Sequence, residues 1–463
     1  MLSKNSSTMR ILDSLAQVII MHPGFLLWLY RLDEGLFNFF DRIYRQAIMW
    51  AITRVQGLTD EKLLQFQTRR FRRALFEAGN VIPYWRKTLK SLQINPEKIT
   101  ISQLSQLPIL RREEMKGKLD YYGYKPLRGG HTFYTSGSSG IPLSFYTDLK
   151  VIHARSMFLY YVLEFNGFSA KPRALRFHNR AERNRFFGVH INVAGLGHLG
   201  EFEERRKLYS FLEAYKPEAW FTYPSSLSQL MRGFKEDFQN RPFPYSPRMI
   251  FTGSEHLLNR EIFEKFFQCP IFDSYGTAET GTVAQECQER DGLHINPERA
   301  FFEIVDEKNR VLSSGEMGRI LITFFDNKPT PFIRYDVGDI GYTIDEPCRC
   351  GRKTPRLFLQ GKDCNWIVFP DGSRFPVLRL VRFLDISFGE IFNKFQLVQE
   401  TETKITLRFV PSSRYDQNDD VLIYQSLVDF LRCGKRLKIN FEKVDNIENL
   451  PSGKAQIFIS KCL

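Results

Sequence analysis

The residues best placed to do chemistry are small. Thr135-Ser136-Gly137-Ser138-Ser139-Gly140 lies in the stretch TFYTSGSSGIPLSFYT, and no side chain in it exceeds a hydroxyl. Glycines let successive amide N–H groups turn toward one point, and hydroxyls add donors without filling the space, a composition suited to a polyanion. Ile141 follows the last glycine, so this is not the phosphate loop that ends in Gly-Lys-Ser/Thr. A flexible hairpin tip has the same composition, and these residues alone leave both readings open. Three further stretches set reactive side chains in glycine-bearing turns: Tyr275-Gly276-Thr277-Ala278-Glu279, Arg334-Tyr335-Asp336-Val337-Gly338-Asp339 and Pro451-Ser452-Gly453-Lys454. Taken singly, each is an ordinary turn.

A second group carries soft ligands. Cys348-Arg349-Cys350 lies in DEPCRCGRKTPRL, and Cys287 is followed closely by His294 in QECQERDGLHIN. Three sulfurs and one imidazole suit a closed tetrahedral zinc site. Arg349 and Arg352 beside the thiols would favour the thiolate form. The competing reading is two unrelated turns whose thiols are buried as small hydrophobes. Cys269, Cys364, Cys433 and Cys462 show no such grouping.

The elements that must position these residues follow from periodicity. Up to about residue 130 the pattern is mostly helical, with Asp60 opening a helix that ends at Gly79 and Pro83 close behind. Asp148 is expected to cap an apolar helix closed by Asn166-Gly167. Two strand-then-helix units come next, AWFTYP before SSLSQLMRGFKEDF and RMIFTG before SEHLLNREIFEKFF. Such alternation predicts a parallel, helix-covered sheet with ligands near the strand carboxyl ends, where Ser225 and Ser254 stand. From about residue 300 the texture turns to β, and past Gly361 two hairpins and a helix suggest a small α+β unit.

Composition excludes little. The chain has 463 residues and a formal charge of +13, enough for two or three domains with a basic surface. No basic stripe interleaved with aromatics marks a nucleic-acid interface. Seven cysteines, an odd number, without a recognisable signal peptide point to a reducing compartment, taken as the cytoplasm. Ser14 to Tyr30 is uncharged but carries Gln17, His22, Pro23 and Gly24, so a packing helix is preferred to a membrane span or an interfacial helix. The cluster of Arg176, Arg180, Arg183 and Arg185 is read as a solvated loop before an anion site.

In their order and separations, the hydroxyl loop and the three turns resemble the adenylate-forming (AMP-binding) enzymes, most of all the branch of phenylacetate-CoA ligase and CapK-like capsule-biosynthesis proteins. The resemblance runs from about Phe133 to Lys454. It implies an α/β (α+β overall) fold: a large adenylation domain with helix-covered sheets and a small mobile α+β C-terminal domain. The expected parts are a mainly helical portion at 1–130, an AMP-binding core at 131–359 and a lid domain at 360–463. The resemblance further implies ATP, magnesium and CoA as partners in activating a carboxylic acid. Thr135, Ser136, Gly137, Ser138, Ser139 and Gly140 would hold the β- and γ-phosphates, and Ser254 and Glu255 would line the adenine pocket. Tyr275 and Gly276 would lie beside adenine, Thr277 would reach the α-phosphate, Glu279 would hold magnesium, and Asp339 would accept hydrogen bonds from the ribose. Lys454 would neutralise charge as the carboxylate attacks.

Departures from the family pattern sit at Lys362, where an arginine is usual, and at Cys364 and Asn365, where an acidic hinge is usual. The branch often carries cysteines at corresponding places, which supports the zinc reading of Cys287, His294, Cys348 and Cys350. The resemblance leaves three functions open: thioester formation with CoA, adenylation with AMP retained or acyl transfer to a sugar, and a non-catalytic nucleotide binder. The acyl pocket is expected between residues 190–200, with His190 and His198, and the strand ends at 223–255. Its Tyr and Phe content fits an aromatic or apolar acid and fits plain core equally well, and both histidines are read as loop residues before pocket lining.

Overall fold

The structure is a computed structural model that describes residues 52–462, apart from 127–129, 136–142, 149–150, 152–160, 164, 167–172, 179–190, 196–201, 239–240, 259, 363–365, 390, 432–436 and 449–455. Near the start, α1 (Asp60–Val81) and α2 (Pro83–Ser91) form a helical pair whose core includes Phe71, Leu75, Ile82, Trp85 and Leu89. The expected stop at Gly79 is corrected. The helix continues to Val81 and ends because Pro83 keeps Ile82 extended, at φ −98 and ψ 122. Gly79 serves packing instead, since a Cβ there would lie 2.7 Å from the Leu89 side chain.

Strand β1 (Leu110–Arg111) and the short helix α3 (Arg112–Met115) precede the hairpin of β2 (Gly130–Tyr134) and β3 (Ser144–Asp148). Asp148 accepts the Val151 amide at 2.9 Å, the cap expected there. The parallel region follows: β4 (Ala174–His178), β5 (Ile191–Gly195), β6 (Ala219–Thr222), β7 (Met249–Gly253) and β8 (Ile271–Thr277). Continuous apolar runs such as AWFT suit strands covered on both faces. On one face Leu175, Phe177, Trp220, Ile250 and Ile271 pack with residues of α4 (Phe202–Tyr215), α5 (Pro224–Phe238) and α6 (Arg260–Phe267). On the other, Phe221, Phe251 and Phe272 stack in a row at 5.3 and 5.7 Å.

The helix expected from Ser254 begins only at Arg260. Ser254 takes the left-handed conformation, φ 67, and residues 254–258 form a loop at the carboxyl end of β7.

The chain then turns antiparallel through β9 (Gly281–Glu286), β10 (Leu293–Ile295), β11 (Ala300–Val305), β12 (Gly318–Phe324), β13 (Tyr335–Ile344) and β14 (Arg356–Lys362). All join one twelve-stranded sheet in the order β11-β12-β13-β14-β10-β9-β8-β7-β6-β4-β5, with β1 parallel to β13. Last come the hairpin β15 (Trp366–Val368) with β16 (Arg374–Pro376), then α7 (Val377–Phe388), β17 (Phe392–Thr401), β18 (Lys404–Pro411), α8 (Asp419–Leu431), β19 (Lys438–Lys443) and β20 (Phe458–Ser460). The last four strands form a separate sheet, β19-β18-β17-β20, with a core of its own built on Leu380, Leu384, Phe392, Leu407, Phe409, Ile423 and Leu427.

Arg334 ties the early segment to the sheet. Its Nε donates to Glu303 at 3.0 Å, and Nη1 donates to the Ser105 and Leu107 carbonyls. The two side chains are 4% and 5% exposed, so losing one strands the other's charge in the interior. Arg334→Met is expected to lower unfolding stability by about 3–5 kcal/mol, and the double change Arg334→Met with Glu303→Leu to recover most of it, measured by urea denaturation.

Candidate functional site

The site forms where the turns after β8 and along β13 meet. In the sheet these strands are four steps apart, which in a flat sheet means about 19 Å. Their side chains nevertheless meet at hydrogen-bond distance, so the sheet folds back on itself. The Tyr275 hydroxyl donates to Asp339 at 2.7 Å, and the Tyr335 hydroxyl donates to Glu279 at 2.8 Å. Each motif thus lends a tyrosine to the other motif's acid. Burial holds both phenols well above the usual tyrosine range, and the neighbouring carboxylates add to it. Both tyrosines therefore remain donors, and both acids are held as acceptors.

The turn between β8 and β9 is tight for a steric reason. A Cβ on Gly276 would lie 2.2 Å from the Gly281 carbonyl oxygen, so only glycine fits. Thr277 and Thr280 share their hydroxyls across this turn at 3.3 Å, and Glu279 is 2% exposed. In the other motif, Asp336 pairs with Arg319 and accepts the Gly338 amide at 3.0 Å. That leaves Asp339 facing Tyr275. The antiparallel register sets Asp339 opposite Lys362 of β14.

Arg112, the first residue of α3, is the residue the sequence reading missed. Its guanidinium donates to the Thr135 hydroxyl, and its Nη1 lies 3.9 Å from Glu279. Thr135 also closes the base of the hydroxyl loop: its amide donates to the Leu143 carbonyl and its hydroxyl accepts the Leu143 amide. A cation between a loop hydroxyl and a buried carboxylate marks a place prepared for charge. Nothing local in RREEM signals this, because both partners lie far along the chain. Ser136 to Gly140, Lys454, Cys364, Cys433, His190, His198, Arg180, Arg183, Arg185 and the side chain of Lys362 lie outside the described residues.

Ser254 and Glu255 stand at the carboxyl end of β7. The Glu255 carboxylate takes the Ser225 amide and hydroxyl, both at 2.9 Å, at the N-terminus of α5. Arg176, on β4, hydrogen-bonds the Tyr223 hydroxyl beside this carboxylate, which makes this part of the expected acyl pocket polar.

The soft ligands also converge. The ligand atoms of Cys287, His294, Cys348 and Cys350 all lie within 4.8 Å of one another. Cys287 and Cys348 sulfurs are 3.7 Å apart, and Cys350 Sγ is 3.4 Å from His294 Nε2. The other imidazole nitrogen, Nδ1, is fixed by Thr354 at 3.0 Å, which leaves Nε2 aimed at the sulfurs. Burial, with Arg352 and Arg356 nearby, lowers His294 to about 4, so it is neutral and able to ligate. Burial pushes the Cys287 thiol up to about 12. It also raises Cys350, but the Arg352 amide and guanidinium and the neighbouring sulfurs outweigh it and leave that thiol below its ordinary value.

Among the described residues no helix is long and apolar enough to cross a membrane. The family model of the CapK C-terminal domain matches residues 380–461. Protein CapK of Staphylococcus aureus is 22% identical over 91% of this chain and 94% of its own. Phenylacetate-coenzyme A ligase of Thermus thermophilus is 24% identical over 87% of this chain and 95% of its own. Among solved structures, 2-hydroxyisobutyryl-CoA ligase in its postadenylation state superposes with a TM-score of 0.70 at 18% identity, covering 87% of this chain and 89% of that one. The same ligase in its thioesterification state gives 0.59, covering 88% and 91%. The mixed α/β fold with its C-terminal unit is therefore the fold of the adenylate-forming enzymes.

Glu255→Gln removes a full charge from the N-terminus of α5 while keeping its shape. It is expected to destabilise the chain by about 1 kcal/mol, read as a lower urea midpoint with an unchanged slope.

Proposed function

We propose that this relative of CapK and phenylacetate-coenzyme A ligase, an adenylate-forming fold with a CapK-type C-terminal domain, is an ATP-dependent carboxylate-activating ligase. One observation carries the reading: the reciprocal Tyr275–Asp339 and Tyr335–Glu279 hydrogen bonds, with Arg112 joining Glu279 to Thr135. They bring three of the four turns recognised in the sequence to one place. The substrate carboxylate attacks the α-phosphorus of ATP and pyrophosphate leaves; a thiol, that of CoA in this reading, then attacks the acyl carbon of the acyl-adenylate, loses its proton and releases AMP.

The roles follow from chemistry. Asp339, held by Tyr275 and facing outward from β13, accepts hydrogen bonds from the ribose hydroxyls. Tyr275 and Gly276 lie beside adenine, with Ser254 and Glu255 on the rim of its pocket, and Thr277 reaches the α-phosphate. Thr135 to Gly140 and Arg112 hold the β- and γ-phosphates, where fixed donors and a cation stabilise the departing charge. Glu279 would offer a hard oxygen to magnesium, an ion that would supply neutralisation of phosphate charge when bound. Lys362 adds charge near the ribose without an arginine's fork. Lys454 completes the site from a C-terminal unit beginning near residue 360, which moves as a lid. The TM-scores of 0.70 and 0.59 support an arrangement nearer the postadenylation state of the compared ligase.

The acid is of unspecified identity. The Phe221–Phe251–Phe272 row fits an apolar or aromatic acid, and Arg176 with Tyr223 adds a polar end. The CapK-type C-terminal match favours one second reading, transfer of the acyl group to a sugar in polysaccharide biosynthesis. Mass spectrometry of products with and without CoA separates the two.

Cys287, His294, Cys348 and Cys350 fit zinc: a soft donor set, a neutral imidazole oriented by Thr354, and spacing small enough for one ion. Bound there, zinc would tie the β9–β10 hairpin to the turn between β13 and β14, the strands that carry the site's neighbours.

Two measurements test these readings. With a panel of carboxylic acids including phenylacetate, the chain is expected to exchange labelled pyrophosphate into ATP, and Lys454→Ala to lower that rate about a hundredfold or more. No exchange with any acid refutes the ligase. Elemental analysis is expected to find one zinc per chain, released as pH falls because protons compete for the thiolates, and lost in Cys348→Ser and Cys350→Ser with a lower Tm.

A further inference from the structure

Arg232 lies on α5, a helix of the large sheet's cover, yet its guanidinium reaches across to the C-terminal unit. Nη2 donates to Asp385 of α7 at 3.1 Å, and Nη1 donates to the Asn393 carbonyl at the start of β17. The Arg232 and Asp385 side chains are 23% and 18% exposed. Beside them, Leu258 of the 254–258 loop packs against the C-terminal core. This loop is the one that carries Ser254 and Glu255, so the contact joins the C-terminal unit to the rim of the nucleotide site.

A guanidinium that divides its donors between a carboxylate and a backbone carbonyl accepts only a narrow range of orientations. The pair is also desolvated. Burial lowers Arg232 and raises Asp385, each shift partly opposed by the other's charge. Such a pair contributes only while both groups stay in register, because rotation of one unit returns both to water.

We infer that Arg232 and Asp385 form an orientation-specific latch that positions the C-terminal unit for adenylation and must open before the acceptor step. The latch rests on the ligase reading for its consequence, though not for its existence. Arg232 is thus a positioning residue acting through the unit that carries Lys454.

The test uses the full chain and Arg232→Met, Asp385→Asn, their double variant and Arg232→Lys. Without any substrate, amide hydrogen exchange of segments 254–258 and 391–395 is expected to rise about tenfold in both single variants, and no further in the double. Strands β6 to β8 should stay protected, which controls for misfolding. With whichever acid the wild type uses, pyrophosphate exchange is expected to fall about tenfold in kcat with KM for ATP changed less than twofold. Thioester formation from supplied acyl-adenylate and CoA should hold or rise, and Arg232→Lys should restore much of the exchange. Unchanged protection at the two segments, or effects that simply add in the double variant, overturn the latch. Equal losses in both half-reactions overturn its positioning role. If the wild type exchanges pyrophosphate with no acid, the ligase reading and the positioning role fall together. Amide exchange then decides the contact alone.

Discussion

Two phenol-to-carboxylate hydrogen bonds govern this structure. Tyr275 holds Asp339 between strands that lie four apart in the sheet, and Tyr335 holds Glu279 in the turn that follows β8. A flat sheet would keep these groups far out of reach, so the bonds exist only because the sheet curls. The same curl packs Tyr275 and Tyr335 in one core with Phe145, Val283, Ile322 and Phe332. Apolar burial brings the strands together, and the tyrosine hydroxyls convert that proximity into fixed acceptors.

Around this crossing, the structure spends its other charges on holding elements in place. Arg334 and Asp336 look functional in sequence, but Arg334 pins the segment at 105–107 and Asp336 answers Arg319. Glu255 steadies the start of α5. Asp339 and Glu279 are the acids that take the tyrosine hydroxyls, and Arg112 is a cation that approaches Glu279. Of the six residues from Arg334 to Asp339, two charged ones are framework, Arg334 and Asp336.

The four-residue cysteine and histidine cluster works at longer range. It brings together β9, β10 and the turn before β14, strands that neighbour the turn after β8 rather than forming it. The contact of Arg232 with Asp385 and Asn393 does the same between the sheet and the C-terminal unit.

Some of this was legible in the sequence because it depends on neighbours along the chain. The parallel strands followed from short apolar runs alternating with amphipathic helices, and the glycine turn at Gly276 from residue type alone. The hairpins past residue 360 and the ligand types of Cys287, His294, Cys348 and Cys350 were also local facts. What the sequence left open was every choice between partners distant in the chain. Arg112 lies 23 residues from Thr135 and far from Glu279, so no spacing rule could pair them. The helix end at Val81 follows Pro83 rather than Gly79, and the start at Arg260 lies past a left-handed serine at Ser254. The sequence by itself determined which turns can hold charge. Only the tertiary structure, through the curl of a twelve-stranded sheet, decided which side chains of those turns meet one another.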